Sequence, residues 1–207
     1  MFKNQKFQFV LIFLFLLSGC SQKPIKVKKD LTRLPHLGGK QFSYDLNNIY
    51  INIKKLNSND CWYALGVNCL SCGIQPIAIV IKNDSNDIIY FNPESTQLAL
   101  IEPEDAARRC HWRTYEVTYH SSILAAIFYW PALVAIGSSG YAMKKRNEEI
   151  TIAMTRHAID SWDSIKILPS ETFHKILFID ETYTPDTFKL KLFNKDKKET
   201  QTIPVEL

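Results

Sequence analysis

Residues 76–94 read PIAIVIKNDSNDIIYFNPE, and this stretch decides the fold class. Pro76–Lys82 is apolar on both faces until its last residue, which is typical of a central strand in a sheet. The polar cluster Asn83–Asp87 then predicts a tight turn, because Asn, Asp and Ser side chains support turn conformations. A second apolar segment, Ile88–Phe91, follows at once, and Asn92–Ser95 predicts another turn. The stretch is therefore a strand, a turn and a strand.

The same pattern extends to both sides of this stretch. Asn48–Lys54 alternates polar and apolar residues, as expected for a half-buried strand, and Lys195–Lys198 fits an exposed hairpin tip. The predicted strands are Asn48–Lys54, Pro76–Lys82, Ile88–Phe91, Gln97–Ile101, Ser164–Leu168, Phe173–Asp180, Thr187–Phe193 and Thr200–Leu207. Eight short strands separated by turns predict a mainly β protein, an antiparallel β-sandwich. Glu102–Asp105 predicts the start of a helix, with Pro103 in its first turn.

Two segments carry a resemblance to a known fold. IAIVIKNDSNDIIYFNPE (77–94) and KILPSETFHKILFID (166–180) both repeat strand, turn and strand at Greek-key spacing. In this respect the chain resembles a broad group of bacterial envelope proteins with an immunoglobulin-like sandwich. The resemblance implies an immunoglobulin-like antiparallel β-sandwich over residues 41–207, and no particular activity, since this fold carries many functions.

The N-terminus, MFKNQKFQFVLIFLFLLSGC, has the order of an export signal. Two lysines precede the apolar run Phe7–Leu17, which is short for a membrane-spanning helix. The last four residues, Leu17-Ser18-Gly19-Cys20, resemble the lipobox of bacterial lipoproteins. The resemblance implies cleavage before Cys20, and diacylglycerol and acyl chains such as palmitate on that residue. In a Gram-negative host, Ser21 then implies sorting to the outer membrane, facing the periplasm. The alternative is an ordinary secretory signal that ends at a cysteine.

The predicted organisation is a signal peptide (1–19), a lipidated cysteine with a basic linker (20–40) and one domain (41–207). The chain has a net charge of +4, but the domain alone is slightly acidic at −3, so the basic excess lies in the linker. Lysines beside the anchor suit anionic lipid headgroups. This position and the export signal argue against nucleic-acid binding, and we expect no nucleic-acid partner.

Ile123–Met143 carries no charge, and basic residues follow it directly. A transmembrane helix is one interpretation. Pro131 and Gly137–Gly140 argue against it, because they interrupt helices, and a span would also divide the sandwich between two compartments. The sequence therefore predicts a helical hairpin inserted at about 121–162, turning at Gly137–Gly140.

The apolar side of this hairpin has to be covered by the domain, a second copy, a partner or lipid. Six residues are candidates for an interaction surface: Ile123, Ile127, Phe128, Trp130, Leu133 and Val134. The second arm, Tyr141–Trp162, is predicted to be an amphipathic helix, and its partly apolar face holds Ile150, Met154, His157, Ala158 and Ser161.

Four cysteines remain in the domain: Cys61, Cys69, Cys72 and Cys110. An even number in an exported protein predicts two disulfides, with three possible pairings. A redox CxxC motif at Cys69 and Cys72 is less favoured, because a strand rather than a helix follows it. A zinc site built from the four thiols, or with His111 in place of one, is the third interpretation.

No catalytic constellation is recognisable. The five histidines form no pair at ligand spacing, and Gly137–Gly140 lacks the GxSxG spacing of a nucleophile elbow. We therefore expect no enzyme, no metal and no cofactor. The expected function is that of a non-catalytic envelope lipoprotein, a structural or protein-interaction module. Its expected partners are the membrane, through Cys20, and another envelope protein. The alternative is a lipoprotein that binds a lipid or small apolar ligand.

Overall fold

The computed structural model describes residues 42–111 and 130–207, with side chains for 42–111 and 141–207. The nine strands of this part are β1 Phe42–Leu46, β2 Ile49–Lys55, β3 Ile74–Asn83, β4 Ile89–Phe91, β5 Leu100–Ile101, β6 Ile165–Ile167, β7 Thr172–Asp180, β8 Thr187–Asn194 and β9 Glu199–Glu206. Its three α-helices are α1 Ser58–Leu65, α2 Pro103–Cys110 and α3 Trp130–His157. The described chain forms two compact units, residues 130–146 in one and residues 42–111 with 147–207 in the other.

The strands form two antiparallel sheets, so the prediction of a mainly β protein is confirmed. The five-stranded sheet has the order β1-β2-β3-β7-β5, and the four-stranded sheet has the order β6-β4-β8-β9. Each predicted strand corresponds to an observed one, although Gln97–Ile101 is reduced to the two residues of β5. β3 pairs with both β2 and β7, which agrees with its predicted central position.

β1 is a strand that the sequence pattern did not predict. It pairs with β2 through a two-residue turn, Asn47-Asn48, whose φ angles are 50° and 67°. Positive φ at both central residues gives a turn whose twist matches that of a hairpin, and Asn tolerates this conformation well. The Asn-Asn pair was therefore the available signal for β1.

Both sheets contribute side chains to one hydrophobic core. The five-stranded sheet supplies alternate residues of β2, β3 and β7, and the four-stranded sheet supplies residues of β4, β6, β8 and β9. The main contributors are Ile49, Ile51, Ile53, Ile77, Ile79, Ile81, Ile89, Phe91, Ile167, Leu177, Ile179, Phe188, Leu190, Leu192, Ile203 and Val205. This core explains the period-two pattern of the sequence, because successive side chains of a strand point to opposite faces and only one face is buried in the core.

The other face of the five-stranded sheet is partly covered by helices. Ile53 points into the core, so the next residue of β2, Lys54, points away from it and pairs with Asp60 of α1. Arg109 of α2 pairs with Asp180 at the end of β7, with 3.0 Å between Nη1 and Oδ2. α2 begins at Pro103, as the sequence predicted.

α3 ends at His157, before the predicted end at Trp162, so Ala158 and the half-buried Ser161 lie outside the helix. Ile150, Met154 and His157 are buried, as is Ala158 just after the helix. Ala158 also forms a parallel bridge with Ile176 of β7. The chain therefore leaves α3 directly along the edge of the five-stranded sheet.

The predicted turn at Gly137–Gly140 is wrong, because α3 runs through these residues without interruption. Glycine within a helix costs about 1 kcal/mol relative to alanine and serine less, so a long helix can include them. The first predicted arm lies mostly outside the described residues. None of the described helices is both long enough and apolar enough to cross a bilayer.

Candidate functional site

Most of the predicted interaction surface cannot be located on the described residues. Cys20 and the first three candidates lie outside them, and the last three lie in α3, where only the backbone is described. The first three are Ile123, Ile127 and Phe128, and the last three are Trp130, Leu133 and Val134. Docking through these six residues stays a prediction.

The solvent face of the four-stranded sheet carries a row of side chains from all four strands. Lys166 of β6 is opposite Tyr90 of β4, Tyr90 is opposite Phe193 of β8, and Phe193 is opposite Thr200 of β9. Directly opposed residues of antiparallel strands project to the same side, so these four side chains are neighbours. The rings of Tyr90 and Phe193 are tilted, with 6.5 Å between their centroids, and Phe193 is 40% exposed.

An open depression of about 620 Å³ lies on this face. Its lining includes Tyr90, Phe193, Lys191, Lys195 and Thr200. Depressions that combine aromatic surface with a few polar groups are typical of binding surfaces. We call the surface formed by Tyr90, Lys166, Lys189, Lys191, Phe193 and Thr200 the lysine–aromatic face.

The lysine–aromatic face is positively charged. Lys189 and Lys191 alternate along β8 with buried Leu190 and Leu192, so they project to the same side as Phe193. Among the described strand residues that project to this side, the acidic one is Glu206 of β9. It lies opposite Thr187, at the end of β8 away from Phe193. The face therefore suits an acidic partner.

Sequence reasoning missed this face, although part of the signal was present. The alternation in Thr187–Asn194, TFKLKLFN, puts Lys189, Lys191 and Phe193 on one side of a strand. Tyr90 and Lys166 come from distant parts of the chain, and only the pairing of the strands brings them alongside.

A second feature is a cluster of four thiols. Cys61 comes from α1, Cys69 and Cys72 from the segment before β3, and Cys110 from the end of α2. Cys61, Cys69 and Cys110 are buried, and Cys72 is half-buried. Cys61 and Cys110 influence the pKa of Cys69, and Cys72 influences the pKa of Cys110, so the four thiols are neighbours. We call these four residues the thiol cluster.

Local sequence signals position the thiol cluster. α1 begins at Asn57, whose side chain accepts from the Asp60 N–H at 2.9 Å, while Asp60 accepts from the Asn57 N–H in return. This capping box satisfies free N–H groups of the first turn. α1 ends at Gly66, whose φ of 71° favours glycine. No helix was predicted between the strands Asn48–Lys54 and Pro76–Lys82, although Asn57, Asp60 and Gly66 form a helix signature.

The four thiols of the cluster differ in pKa. Hydrogen bonds to Cys110 and Cys61, together with burial, raise the pKa of Cys69 far above its ordinary value. Burial, with the hydrogen bond to Cys110, raises the pKa of Cys72 to about 12. The hydrogen bond from Cys69 lowers the pKa of Cys61 and, with that from Cys72 and the charge of Arg109, lowers the pKa of Cys110.

The two predicted disulfides are not formed in the structure. All four described cysteines are free thiols, since no two of their sulfur atoms are at bonding distance. The four thiols are nevertheless neighbours in the fold.

The alternatives for these cysteines are constrained by the structure. Within residues 42–111 and 130–207, no group of three or more His, Cys, Asp or Glu side chains is arranged to hold a metal ion. His111 contacts Thr151 instead, with 2.9 Å between Nε2 and Oγ1. The CxxC pair is followed by Gly73 and β3, and the pKa of Cys69 is raised, whereas reactive cysteines have a lowered pKa.

The space between the two sheets is filled by the core side chains, which are almost completely buried. The depression on the lysine–aromatic face is open to solvent and does not enclose a ligand. The depression is thus a surface feature of this sheet face. Comparison of the chain with protein-family models, with curated proteins and with solved structures finds no match.

Proposed function

We propose that this protein is a non-catalytic lipoprotein of the bacterial envelope, tethered through lipid on Cys20, which docks an acidic envelope protein on its lysine–aromatic face. The observation that carries the docking proposal is the cross-strand row with Tyr90 and Phe193 at its centre and Lys166 and Lys191 beside them. Interfaces commonly have an aromatic centre and a polar rim, and charged rims select oppositely charged partners.

The proposed fold of the domain is an immunoglobulin-like sandwich. Its support is that two antiparallel sheets share one core, and that the chain changes sheet at each of the five connections from β3–β4 to β7–β8. Such crossings are typical of Greek-key sandwiches.

The proposed tether limits where docking can occur. β1 begins at Phe42, 22 residues after Cys20. A chain of that length reaches at most about 75 Å when fully extended. A lipidated domain would therefore meet partners close to the membrane, and we propose the outer membrane, with the domain in the periplasm.

Protein docking is favoured over the storage of a lipid or small apolar ligand. A ligand store needs an enclosed apolar cavity, and the core between the sheets is occupied by side chains such as Phe91 and Leu190. The lysine–aromatic face is instead an open surface, which fits the surface of another protein.

The anchor is tested by fractionation of cells that express the full chain. Cys20→Ser should move the protein from the membrane to the soluble envelope fraction, because the thioether that carries the lipid can no longer form. Retention of the variant in the membrane fraction would contradict the proposed tether.

The docking surface is tested by in-cell photo-crosslinking. A photoreactive phenylalanine analogue at position 193 should give a specific protein adduct, and Lys189→Glu with Lys191→Glu should abolish it. The matched control is Lys82→Glu, which reverses a lysine on the outer face of the other sheet and should leave the adduct unchanged. Adducts to lipid alone, or no adduct at all, would overturn the proposal.

A further inference from the structure

A second depression, of about 470 Å³, lies on the outer face of the five-stranded sheet. Asp45 of β1 is opposite Tyr50 of β2. Tyr50 is in turn opposite Lys82 of β3, and Lys82 is opposite Thr172 of β7. Because the next residue of β2, Ile51, points into the core, this cross-strand row projects away from the core, and all four of its residues line the depression.

Tyr50 places an aromatic ring at the centre of this row. The residue is 42% exposed, so much of the ring is open to a ligand. The Lys82 ammonium lies 5.6 Å from the ring centroid, and the attraction of a cation to an aromatic ring helps to hold the ring in place. Lys82 also pairs with Asp84, which offsets its charge. The depression therefore lacks the positive excess of the lysine–aromatic face.

Polar groups surround the ring. Asn52 follows Tyr50 on the same side of β2 and lines the depression, with the half-buried Val80 opposite it. The Oδ1 atom of Asn52 is shielded from solvent and accepts no hydrogen bond from the described residues. Buried polar atoms are normally paired, and an amide turns about its terminal torsion at little cost. This oxygen is therefore suited to accept a hydrogen bond from a ligand.

We propose that this depression binds a neutral glycan, with one sugar ring stacked on Tyr50. A sugar ring carries C–H groups on its faces, which pack on an aromatic ring, and hydroxyl groups around its edge, which form hydrogen bonds. The Asp45 carboxylate accepts such bonds, and the Asn52 amide both accepts and donates them. We call Asp45, Tyr50, Asn52, Lys82 and Thr172 the glycan site.

Other classes of ligand fit the glycan site less well. An acidic ligand would meet the Asp45 carboxylate and a lysine whose charge is already offset. A wholly apolar ligand would leave the Asn52 oxygen without a donor, which is unfavourable for a buried polar atom. A ligand with both C–H surface and hydroxyl groups avoids both costs.

The inference is independent of the docking proposal, because the two surfaces belong to different sheets and differ in charge. An open depression covers one side of a ligand only, so binding should be weak, with a Kd on the order of 1 mM. The test accordingly needs a method that detects weak binding.

The experiment is saturation-transfer difference NMR on the full chain, purified in detergent. The probes are chitotetraose and cellotetraose, two neutral β-linked glycans that differ in their acetamido groups. Saturation of the protein should reach the C–H protons of at least one probe, because stacking brings them close to the Tyr50 ring. Absence of transfer to both probes would overturn the proposal.

Variants of the central tyrosine locate the bound glycan. Tyr50→Ala should abolish the transfer, and Tyr50→Phe should retain it, because the ring is kept. The matched control is Tyr183→Ala, which removes a tyrosine that is 71% exposed in the turn after β7 and should change nothing. Circular dichroism checks that each variant folds. Transfer that survives Tyr50→Ala, or that Tyr183→Ala also abolishes, would contradict the assigned site.

Two further variants separate the glycan site from the lysine–aromatic face. Asn52→Ala should weaken binding by about threefold to tenfold, the typical effect of one hydrogen bond. Lys189→Glu with Lys191→Glu, which should abolish protein docking, should leave glycan binding unchanged. Loss of glycan binding in this double variant would place the sugar on the lysine–aromatic face and overturn the assignment, whatever the outcome for docking.

Discussion

The ammonium group of Lys54 lies 2.8 Å from the carboxylate of Asp60, and each side chain is only 3% exposed. The Lys54 ammonium makes no aligned hydrogen bond here. The contact is an ion pair, in which the negative charge of Asp60 offsets the positive charge of Lys54. Asp60 also completes the capping box with Asn57. One carboxylate therefore joins α1 to β2 and sets the position of the neighbouring Cys61.

Replacing Asp60 with Asn should destabilise the domain by about 3–5 kcal/mol, because a buried charge loses its partner. Urea unfolding measures this free energy. The matched control is Asp186→Asn, which removes the partner of Lys55 at 3.7 Å; Asp186 is 94% exposed. Exposed pairs contribute about 0–1 kcal/mol, so the control should change little. Equal losses in the two variants would show that burial of the Lys54–Asp60 pair has no energetic consequence.

Asn83→Ala should cost about 2–3 kcal/mol, since buried polar groups would lose their partners. The Asn83 amide donates to the carbonyls of Asp87 and Ile167, at 2.8 and 3.2 Å, and its Oδ1 accepts from Ser85. It thereby joins the end of β3 to β6 of the other sheet. Urea unfolding gives the value, and Asn92→Ala, which removes one exposed contact to Glu94, is the control. A loss no larger than that of the control would contradict the bridging role.

The same residue shows how far the sequence could be interpreted. Polar residues 83–87 predicted the turn correctly, because turn chemistry is local. That Asn83 is completely buried and joins two sheets depends on β6, which lies some 80 residues further along the chain. Strands and turns can be predicted from local sequence patterns, but the burial of a polar turn residue depends on tertiary packing.

The same distinction between local pattern and tertiary packing applies to the two candidate sites. The alternation of β8 was sufficient to predict a strand, but the solvent face of that strand acquires Tyr90 only through pairing with β4. Similarly, the even number of cysteines predicted two disulfides, which the structure does not show, and the neighbours of Cys69 depend on where α1 and α2 pack. α1 itself was missed because its eight residues include Cys, Trp and Tyr, which have modest helix propensity.

Phe91→Ala should destabilise the domain by about 3–5 kcal/mol, whereas Phe193→Ala should cost less than about 1 kcal/mol. Phe91 is completely buried in the core and packs edge-on against Phe173, with 6.2 Å between ring centroids. Phe193 belongs to the adjacent strand but projects to the lysine–aromatic face. Thermal or urea unfolding compares the two. A large loss for Phe193→Ala would show that this ring is structural and not available for docking.

His111 should titrate below the ordinary histidine value of about 6.5. Burial lowers the pKa of His111, the positive charge of Arg108 lowers it further, and a hydrogen bond with the backbone of Asn147 opposes the shift. NMR of the ring protons across a pH titration measures the midpoint directly. Arg108→Gln should raise that midpoint by a smaller amount than full exposure would, because burial is the main cause.

The lowered pKa of His111 determines how the stability of the domain changes with pH. Between about pH 6.5 and the lower folded pKa, the unfolded chain binds a proton at His111 that the folded domain does not. The contribution of neutral His111 is therefore complete above about pH 6.5 and is lost as the pH falls through the folded pKa. His111→Gln should flatten the pH dependence of the unfolding free energy in that window while leaving the slope above pH 7 unchanged. An NMR midpoint at or above 6.5 for His111 would contradict both expectations, and with them the burial of this ring beside Thr151.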